Sequence, residues 1–256
     1  MTYTIYNFPQ HTFDKTESAQ IATMVAQWAD LNHETRTQFI NSLNVNTNPE
    51  WLEVRCGKFT ASNASAFLAD SRTKGEIGDS CKTLCHKVMS ERVGWREERN
   101  PYMEFASIRR GLCFESTARK LASKKLGAEI KECGFVESDD GWFGCSPDGF
   151  VEKDGKIDAL VEIKCPEPMN FYKQLMNAAK PEYQAQQQFA MNICDCPRSY
   201  FVLFCPEVSD QVYILKYTRG LKFQQKIEQR KKEVLEYIET VNKQVSSGDI
   251  NIPTLE

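Results

Sequence analysis

The chain has 256 residues, of which 41% are hydrophobic and 26% charged, and its formal net charge is −3. That length holds one good-sized core or one domain with a helical extension, and no apolar run approaches the ~20 residues that span a bilayer. Met1 to Gln10 lack the basic-then-apolar pattern of a secretory leader, so an intracellular protein is expected, cytoplasmic, or nuclear if it comes from a eukaryotic host or virus.

The overall acidity gives no general pull toward nucleic acid. Local basic groups at Arg109–Arg110, Arg119–Lys120, Lys124–Lys125 and Arg230–Lys231–Lys232 permit such binding, but each also reads as a solvated helix face. The ten cysteines, several in apolar or helical settings such as Cys113 and Cys205, read as reduced buried thiols rather than a disulfide framework. Cys81, Cys85 and His86 have helical spacing that suits a metal, without an evident fourth ligand.

In chain order, residues 17–42 are expected to be helical, with Ile21, Met24, Val25, Trp28 and Leu31 on one stripe. Trp28 then packs in a core or forms a partner surface, the former being the expectation. The polar stretch Asn44 to Pro49 marks a boundary. It divides an N-terminal helical extension, residues 1–49, from a main domain, residues 50–256, which Trp51 opens. Short helices are expected over 61–69 and 79–93, and a longer one over 102–126 that Gly127 stops. Residues 129–164 read as strands punctuated by Asp139-Asp140-Gly141 and Lys153-Asp154-Gly155. Helices follow at 168–178 and 181–193, strands at Tyr200–Cys205 and Gln211–Tyr217, and a charged helix at 219–246. This order implies an α/β fold with a central mixed sheet flanked by helices.

The chemistry concentrates in the last hairpin of the strand region. Ile157, Ala159, Val161 and Ile163 alternate with Asp158, Leu160, Glu162 and Lys164, the period of a strand, so Glu162 and Lys164 share a face. Ser146-Pro147-Asp148-Gly149 enters the preceding strand. A two-residue turn would set Asp148 opposite Val161 and send Glu162 to the far face. A three-residue loop with Gly155 left-handed sets Asp148 opposite Leu160, and the two carboxylates become diagonal neighbours roughly 7–8 Å apart. The three-residue loop is therefore expected. Two carboxylates beside a lysine suit phosphodiester hydrolysis with Mg²⁺ or Mn²⁺, since hard oxygen ligands favour these ions over zinc. A surface hairpin carrying an Asp/Glu/Lys charge network is the competing reading.

Pro147-Asp148, thirteen intervening residues and then Glu162-Ile163-Lys164 resemble the PD-(D/E)XK nuclease motif. The flanks, Ser146-Pro147-Asp148-Gly149 and Glu162-Ile163-Lys164-Cys165-Pro166, resemble the viral-recombinase (YqaJ-type) exonuclease family. Trp51 to Arg55, Gly57 to Ser62, Gly111 to Glu115 and Tyr183 to Gln188 resemble further blocks of that family in the right order. The resemblance implies a restriction-endonuclease-like core and a Mg²⁺-dependent 5′→3′ exonuclease acting on linear duplex DNA in recombination or viral genome processing. It implies that Asp148, Glu162, the Ile163 carbonyl and Glu115 bind the metal and that Lys164 positions or activates water. Gln186 would support the site, with Gln188 as the rival in register. Arg55, Ser62 and Ser146 would receive the 5′-phosphate of a DNA end, and Phe189 stands where related nucleases often keep a tyrosine. By the same analogy the partners are double-stranded DNA ends, a single-strand annealing protein and further copies of the chain in a ring.

Three alternatives stay open at this point. One is an endonuclease of the same superfamily. Another is an iron–sulfur nuclease using Cys56, Cys194, Cys196 and Cys205. The last is an inactive nuclease fold kept as a DNA-binding module.

Overall fold

The computed structural model describes residues 3–73, 75–96, 105–177, 180–208 and 211–248. The chain begins with β1 (Tyr3–Tyr6) and the short β2 (His11–Thr12), then α1 (Lys15–Ala26), α2 (His33–Ser42) and β3 (Asn46–Thr47). The single helical stretch expected over 17–42 is thus two helices. Asp14 and Glu17 form a capping box at the start of α1, and the Asn32 side chain caps α2. Between them Trp28 sits in one 3-10 turn, 1% exposed, with its ring edge-on to Phe114 at 4.8 Å between centroids. Beyond the expected helices, this N-terminal region supplies strand β1 to a sheet and pairs β2 with β3.

Next come α3 (Pro49–Arg55), β4 (Phe59–Thr60), α4 (Ala64–Phe67), α5 (Asp79–Arg92) and α6 (Ala106–Leu126). Gly127 ends α6 in the left-handed conformation, φ 64°, as expected of a C-terminal glycine. Residues 102–104 of the helix expected there lie outside the described residues, as does residue 178 of a later one. The remaining elements are β5 (Phe135–Ser138), β6 (Phe143–Cys145), β7 (Gly149–Lys153), β8 (Lys156–Lys164), α7 (Pro168–Met176), α8 (Pro181–Ile193), β9 (Arg198–Phe204), β10 (Val212–Thr218) and α9 (Leu221–Ser247).

Two four-stranded sheets result, ordered β1-β5-β6-β4 and β10-β9-β8-β7. In the second, β8 pairs parallel with β9 while the two outer pairs are antiparallel, so the sheet is mixed. Being central, β8 is covered on both faces. Val161 and Ile163 join Trp28, Phe114 and Phe204 in one core cluster, whereas Ile157 and Leu160 join Phe67, Phe143 and Phe189 in another. Among the described residues no helix is long and apolar enough to cross a membrane.

The hairpin between β7 and β8 differs from the three-residue loop that was expected. Asp154 (φ 52°) and Gly155 (φ 72°) form a two-residue turn that closes on the pair Lys153↔Lys156. Both positions need positive φ, and such a turn matches the twist of the strands it joins, so Asp-Gly favours it. The odd residue appears instead within β8. Val151 faces Ala159 while Glu152 faces Ile157, which leaves Asp158 as the extra residue of a bulge, its carboxylate 2.9 Å from Arg198 of β9. The bulge breaks the uninterrupted alternation expected from Ile157 onward, and explains why Ile157 and Val161 lie in different clusters. One step beyond the pair Gly149↔Val161, Asp148 then comes opposite Glu162, not Leu160. The two carboxylates share a face more directly than a diagonal pairing would allow.

Candidate active site

Asp148 enters β7 just before Gly149, where a Cβ would come within 2.5 Å of Ile130 Cγ2 and 2.9 Å of the Lys131 carbonyl oxygen. Only glycine allows that approach, and the Lys131–Phe150 bridge beside it fixes the strand start. Asp148 Oδ2 accepts from the Ile163 N–H at 2.6 Å, and its backbone carbonyl accepts from Arg119 Nε at 3.1 Å. Glu162 is 7% exposed. Its Oε1 receives Lys164 Nζ at 2.6 Å and Gln186 Nε2 at 3.0 Å. From α6, Glu115 pairs with Arg119, which also lies 3.5 Å from Glu132.

The geometry separates the glutamines of α8. Gln186 touches Glu162, whereas Gln188 is buried and binds the Thr218 carbonyl, the Gly220 N–H and Gln224, tying α8 to the start of α9. Phe189 is packed against Phe67 and Phe143 in the core, away from the carboxylates.

Three carboxylates in a buried setting repel one another. Burial pushes the Asp148 carboxyl well above its ordinary range, and Glu162 and Glu115 add to the shift. Burial also raises Glu115, against the pull of Arg119. For Lys164, burial works against the charge, but Glu162 and Asp148 outweigh it, so its pKa rises and it is held as an ammonium.

A second group forms at the other side of a small cavity of about 30 Å³ whose lining includes Arg55, Ser62, Ser146, Glu162 and Gln186. Arg55 donates to Ser146 Oγ at 2.6 Å and to Ser62 Oγ at 3.3 Å. Trp51 Nε1 also donates to Ser146 Oγ, at 3.0 Å, and the Arg55 guanidinium lies 4.4 Å from the Trp51 ring centre. Burial lowers Arg55 to about 10, which still leaves it charged at neutral pH. α3 accounts for the spacing: Trp51 and Arg55 are four apart, hence on one helix face.

Sequence reasoning placed Asp148, Glu162, Lys164, Glu115, Gln186, Arg55, Ser62 and Ser146 near this centre, and the structure gathers them around it. It missed Arg119, which links Glu115 to the Asp148 backbone. The signal was present in the helical spacing of Glu115 and Arg119. The cysteines behave differently. Cys56 ends α3, Cys205 Sγ sits 3.2 Å from Glu207, and Cys194 Sγ lies 3.6 Å from Cys145 Sγ in the core. Cys196 turns to the Arg198 carbonyl and neighbours Cys194, while Cys56 and Cys205 lie elsewhere, so the four proposed cluster ligands do not meet among the described residues. Cys81 and Cys85 are buried while His86 turns to the Tyr237 hydroxyl at 2.9 Å. Of the basic groups, Arg110, Arg230 and Lys231 are buried, and each has an acidic partner.

A mixed sheet whose central strand brings Glu162 and Lys164 opposite Asp148, with a helix supplying Gln186, defines a nuclease fold. The chain belongs to the YqaJ-like viral recombinase domain family, whose match spans residues 50–197. Its structure is similar to an alkaline exonuclease (LHK-Exo) from Laribacter hongkongensis, with 24% identity and a TM-score of 0.62, over 78% of this chain and 99% of that one. It is also similar to a phage-related exonuclease from Haemophilus somnus 129PT, with 16% identity and a TM-score of 0.57, over 73% and 96% of the two chains. No curated protein matches the chain. Family and fold together support a nuclease enzyme.

Proposed function

We propose that the chain is a divalent-metal-dependent exonuclease that hydrolyses linear double-stranded DNA in the 5′→3′ direction, in recombination or viral genome processing. The observation that carries this reading is that two complementary groups line one cavity, Glu162 with Gln186 and Arg55 with Ser62 and Ser146. The first group suits a cation and the second a phosphate.

The donor set fits Mg²⁺, with Mn²⁺ as a substitute. Asp148, Glu162 and Glu115 offer hard oxygens, and burial with mutual repulsion leaves Asp148 and Glu115 poorly compensated. No three His, Cys, Asp or Glu side chains among the described residues form a finished ligand set. Instead the carboxylates are engaged by Ile163 N–H, Lys164, Gln186 and Arg119, contacts they would exchange in part for the ion. Asp148, Glu162, Glu115 and the Ile163 carbonyl would hold it. When bound, the ion supplies polarisation of the phosphate and a water of lowered pKa.

The protein's own groups do the positioning. Lys164, held as an ammonium by Glu162 and Asp148, positions the attacking water by donating to it. Gln186 fixes the Glu162 carboxylate through its amide N–H. Arg55, Ser62 and Ser146 hold the terminal 5′-phosphate and so set the distance from the DNA end to the bond that breaks. Enclosure of the duplex by a homo-oligomeric ring, and cooperation with a single-strand annealing protein, belong to this proposal by family analogy.

The test is digestion of 5′-phosphorylated linear duplex against covalently closed circles in Mg²⁺, with Lys164→Ala beside the wild type. Linear DNA is degraded, circles are spared and the variant is inactive. Circles cut as fast as linear DNA would make the protein an endonuclease. Activity surviving in Lys164→Ala would remove the mechanism.

A further inference from the structure

Among the described residues, three buried side-chain polar atoms have no hydrogen-bond partner: His11 Nδ1, Gln174 Oε1 and Asn192 Oδ1. Two of the three, His11 and Gln174, line one and the same cleft, and that cleft of about 460 Å³ also contains Asp148, Glu115 and Lys164 in its walls. Buried polar atoms ordinarily find partners, and two of the residues that carry an unpaired one line this cleft, where a polar ligand can meet them.

His11 belongs to the N-terminal region, outside the residues matched by the family. Its position is nonetheless built rather than incidental. Gln10 Nε2 donates to the Cys133 and Pro147 carbonyls, both at 3.1 Å, which clamps the segment to the backbone beside Asp148. Asn48, the cap of α3, closes the other side. Its N–H donates to the Gln10 carbonyl at 3.1 Å and its side-chain amide to the Pro9 carbonyl at 2.9 Å. The His11 ring lies 5.0 Å from the Trp51 ring, which in turn carries Arg55. His11 thus stands between the Arg55 cradle and the carboxylates. Burial and then Arg55 lower its pKa to about 4, so it is a neutral imidazole at physiological pH.

Resting on the exonuclease reading above, we propose that His11 is a DNA-binding residue of this site, donating a ring N–H to a backbone phosphate oxygen of the strand being cut, with Gln174 of α7 accepting from the same nucleotide. A neutral donor suits this place. It holds the strand between a cationic cradle and a metal site without adding a charge to either. The first fifty residues then contribute directly to substrate binding, and the family-matched segment alone lacks one contact.

The experiment measures binding of a 5′-phosphorylated duplex by fluorescence anisotropy in Ca²⁺, which avoids turnover, for wild type, His11→Ala, His11→Asn and Gln174→Ala. Steady-state digestion in Mg²⁺ and thermal melting accompany it. His11→Ala weakens binding about tenfold, as the loss of one hydrogen bond to a charged group implies. It raises KM with kcat within about twofold, since uniform binding is what is lost. His11→Asn, which retains a short N–H donor, restores most of the affinity. His11→Asn melts close to wild type, because the unpaired buried atom it removes offsets the lost ring contact with Trp51. Wild-type affinity in His11→Ala overturns the inference. So does equal weakening in His11→Ala and His11→Asn together with a lowered melting temperature, which marks a structural role. A wild-type protein that binds no DNA end overturns the exonuclease reading, and this inference with it. Wild-type binding left intact by His11→Ala overturns this inference alone.

Discussion

Helix α6 carries two buried charge clusters that face opposite fates. Around Arg110, every group is satisfied. Its guanidinium donates to the Cys165 and Pro166 carbonyls and to both Glu207 oxygens, at 2.7–3.3 Å, and Trp28 Nε1 donates to Glu207 at 2.7 Å. Burial alone would raise Glu207, but the hydrogen bonds from Arg110 and Trp28 hold it down to about 2. Little more than a turn away, Glu115 meets Asp148 and Glu162, and there Asp148 is pushed up rather than down. Depth is therefore not what separates the structural ion pair from the candidate site. The balance of charge is: the first cluster closes on itself, and the second carries an excess of carboxylate that a cation and a phosphate would use.

The sharpest way to break this contrast is Asp148→Asn. It keeps an oxygen to accept from the Ile163 N–H while removing a charge from the crowded cluster. If Asp148 holds the proposed ion, its loss should lower the rate by about 1000-fold or more, since each 1.36 kcal/mol of transition-state stabilisation is tenfold in rate. The sign for stability is the reverse. A carboxyl raised above its unfolded pKa favours the fold when protonated and disfavours it as pH rises, so at pH 7 without metal the Asn variant melts at or above wild type. The wild type gains melting temperature on adding Mn²⁺ and the variant gains less. A variant that stays active, or that melts well below wild type, would show that Asp148 is structural, like Glu207.

Glu207→Gln tests the other cluster. Its folded pKa of about 2 lies below the ordinary 4.5, so its stabilisation is present above about pH 4.5 and is lost as pH falls through about 2. The loss at neutral pH is about 3 kcal/mol, read by urea unfolding, and the difference from wild type vanishes near pH 2. Trp28 loses its charged acceptor, so the N-terminal helices loosen with it. Rates per folded molecule stay within about twofold, because no group of the cleft is changed. An unchanged unfolding midpoint would show the pair to be balanced by its own desolvation.

Much of this contrast was legible in the chain, but not the device that produces it. The strand period around Glu162 and Lys164, the stop at Gly127 and the order of helices and strands follow from local pattern, and local pattern reads well. The register of β7 against β8 does not, because it depends on where one extra residue is placed. Either a longer turn or a bulge absorbs it, and both are locally acceptable. The bulge at Asp158 is fixed by Arg198, a partner 40 residues on. Arg110 fared likewise: its basic neighbour Arg109 made it look like a solvated face, and only Glu207, far along the chain, turns it inward. The glutamine run was ambiguous for the same reason, since Gln186 and Gln188 differ in what they meet rather than in what they are.

A finer cut through the site is Arg55→Lys. Lysine keeps the charge but not the fork that reaches Ser146 and Ser62 at once, nor the planar contact with Trp51. The preference for 5′-phosphorylated over 5′-hydroxyl ends should fall about tenfold or somewhat more, in kcat/KM measured on the two duplexes. An unchanged ratio would mean that Arg55 serves the fold and that the terminal phosphate binds elsewhere.

The smallest effect expected is at Gln186, and it reports on how tightly the carboxylates must be held. Gln186→Ala removes one of the two donors to Glu162 Oε1 and leaves Lys164 as the other. Partners of metal-binding groups usually matter by 10–100-fold, and the remaining lysine contact puts this case near the lower end, at about tenfold in kcat. Because on the proposed function the lost donor acts on a group that would exchange its present contacts for the ion, part of the loss should be recovered by raising Mn²⁺. Gln188→Ala serves as the paired control. It cuts the links to Thr218, Gly220 and Gln224, so it lowers the melting temperature while activity per folded molecule is kept. If the two variants exchange these phenotypes, the glutamine register drawn here is wrong by half a turn of α8, and the supporting contact to Glu162 belongs to Gln188.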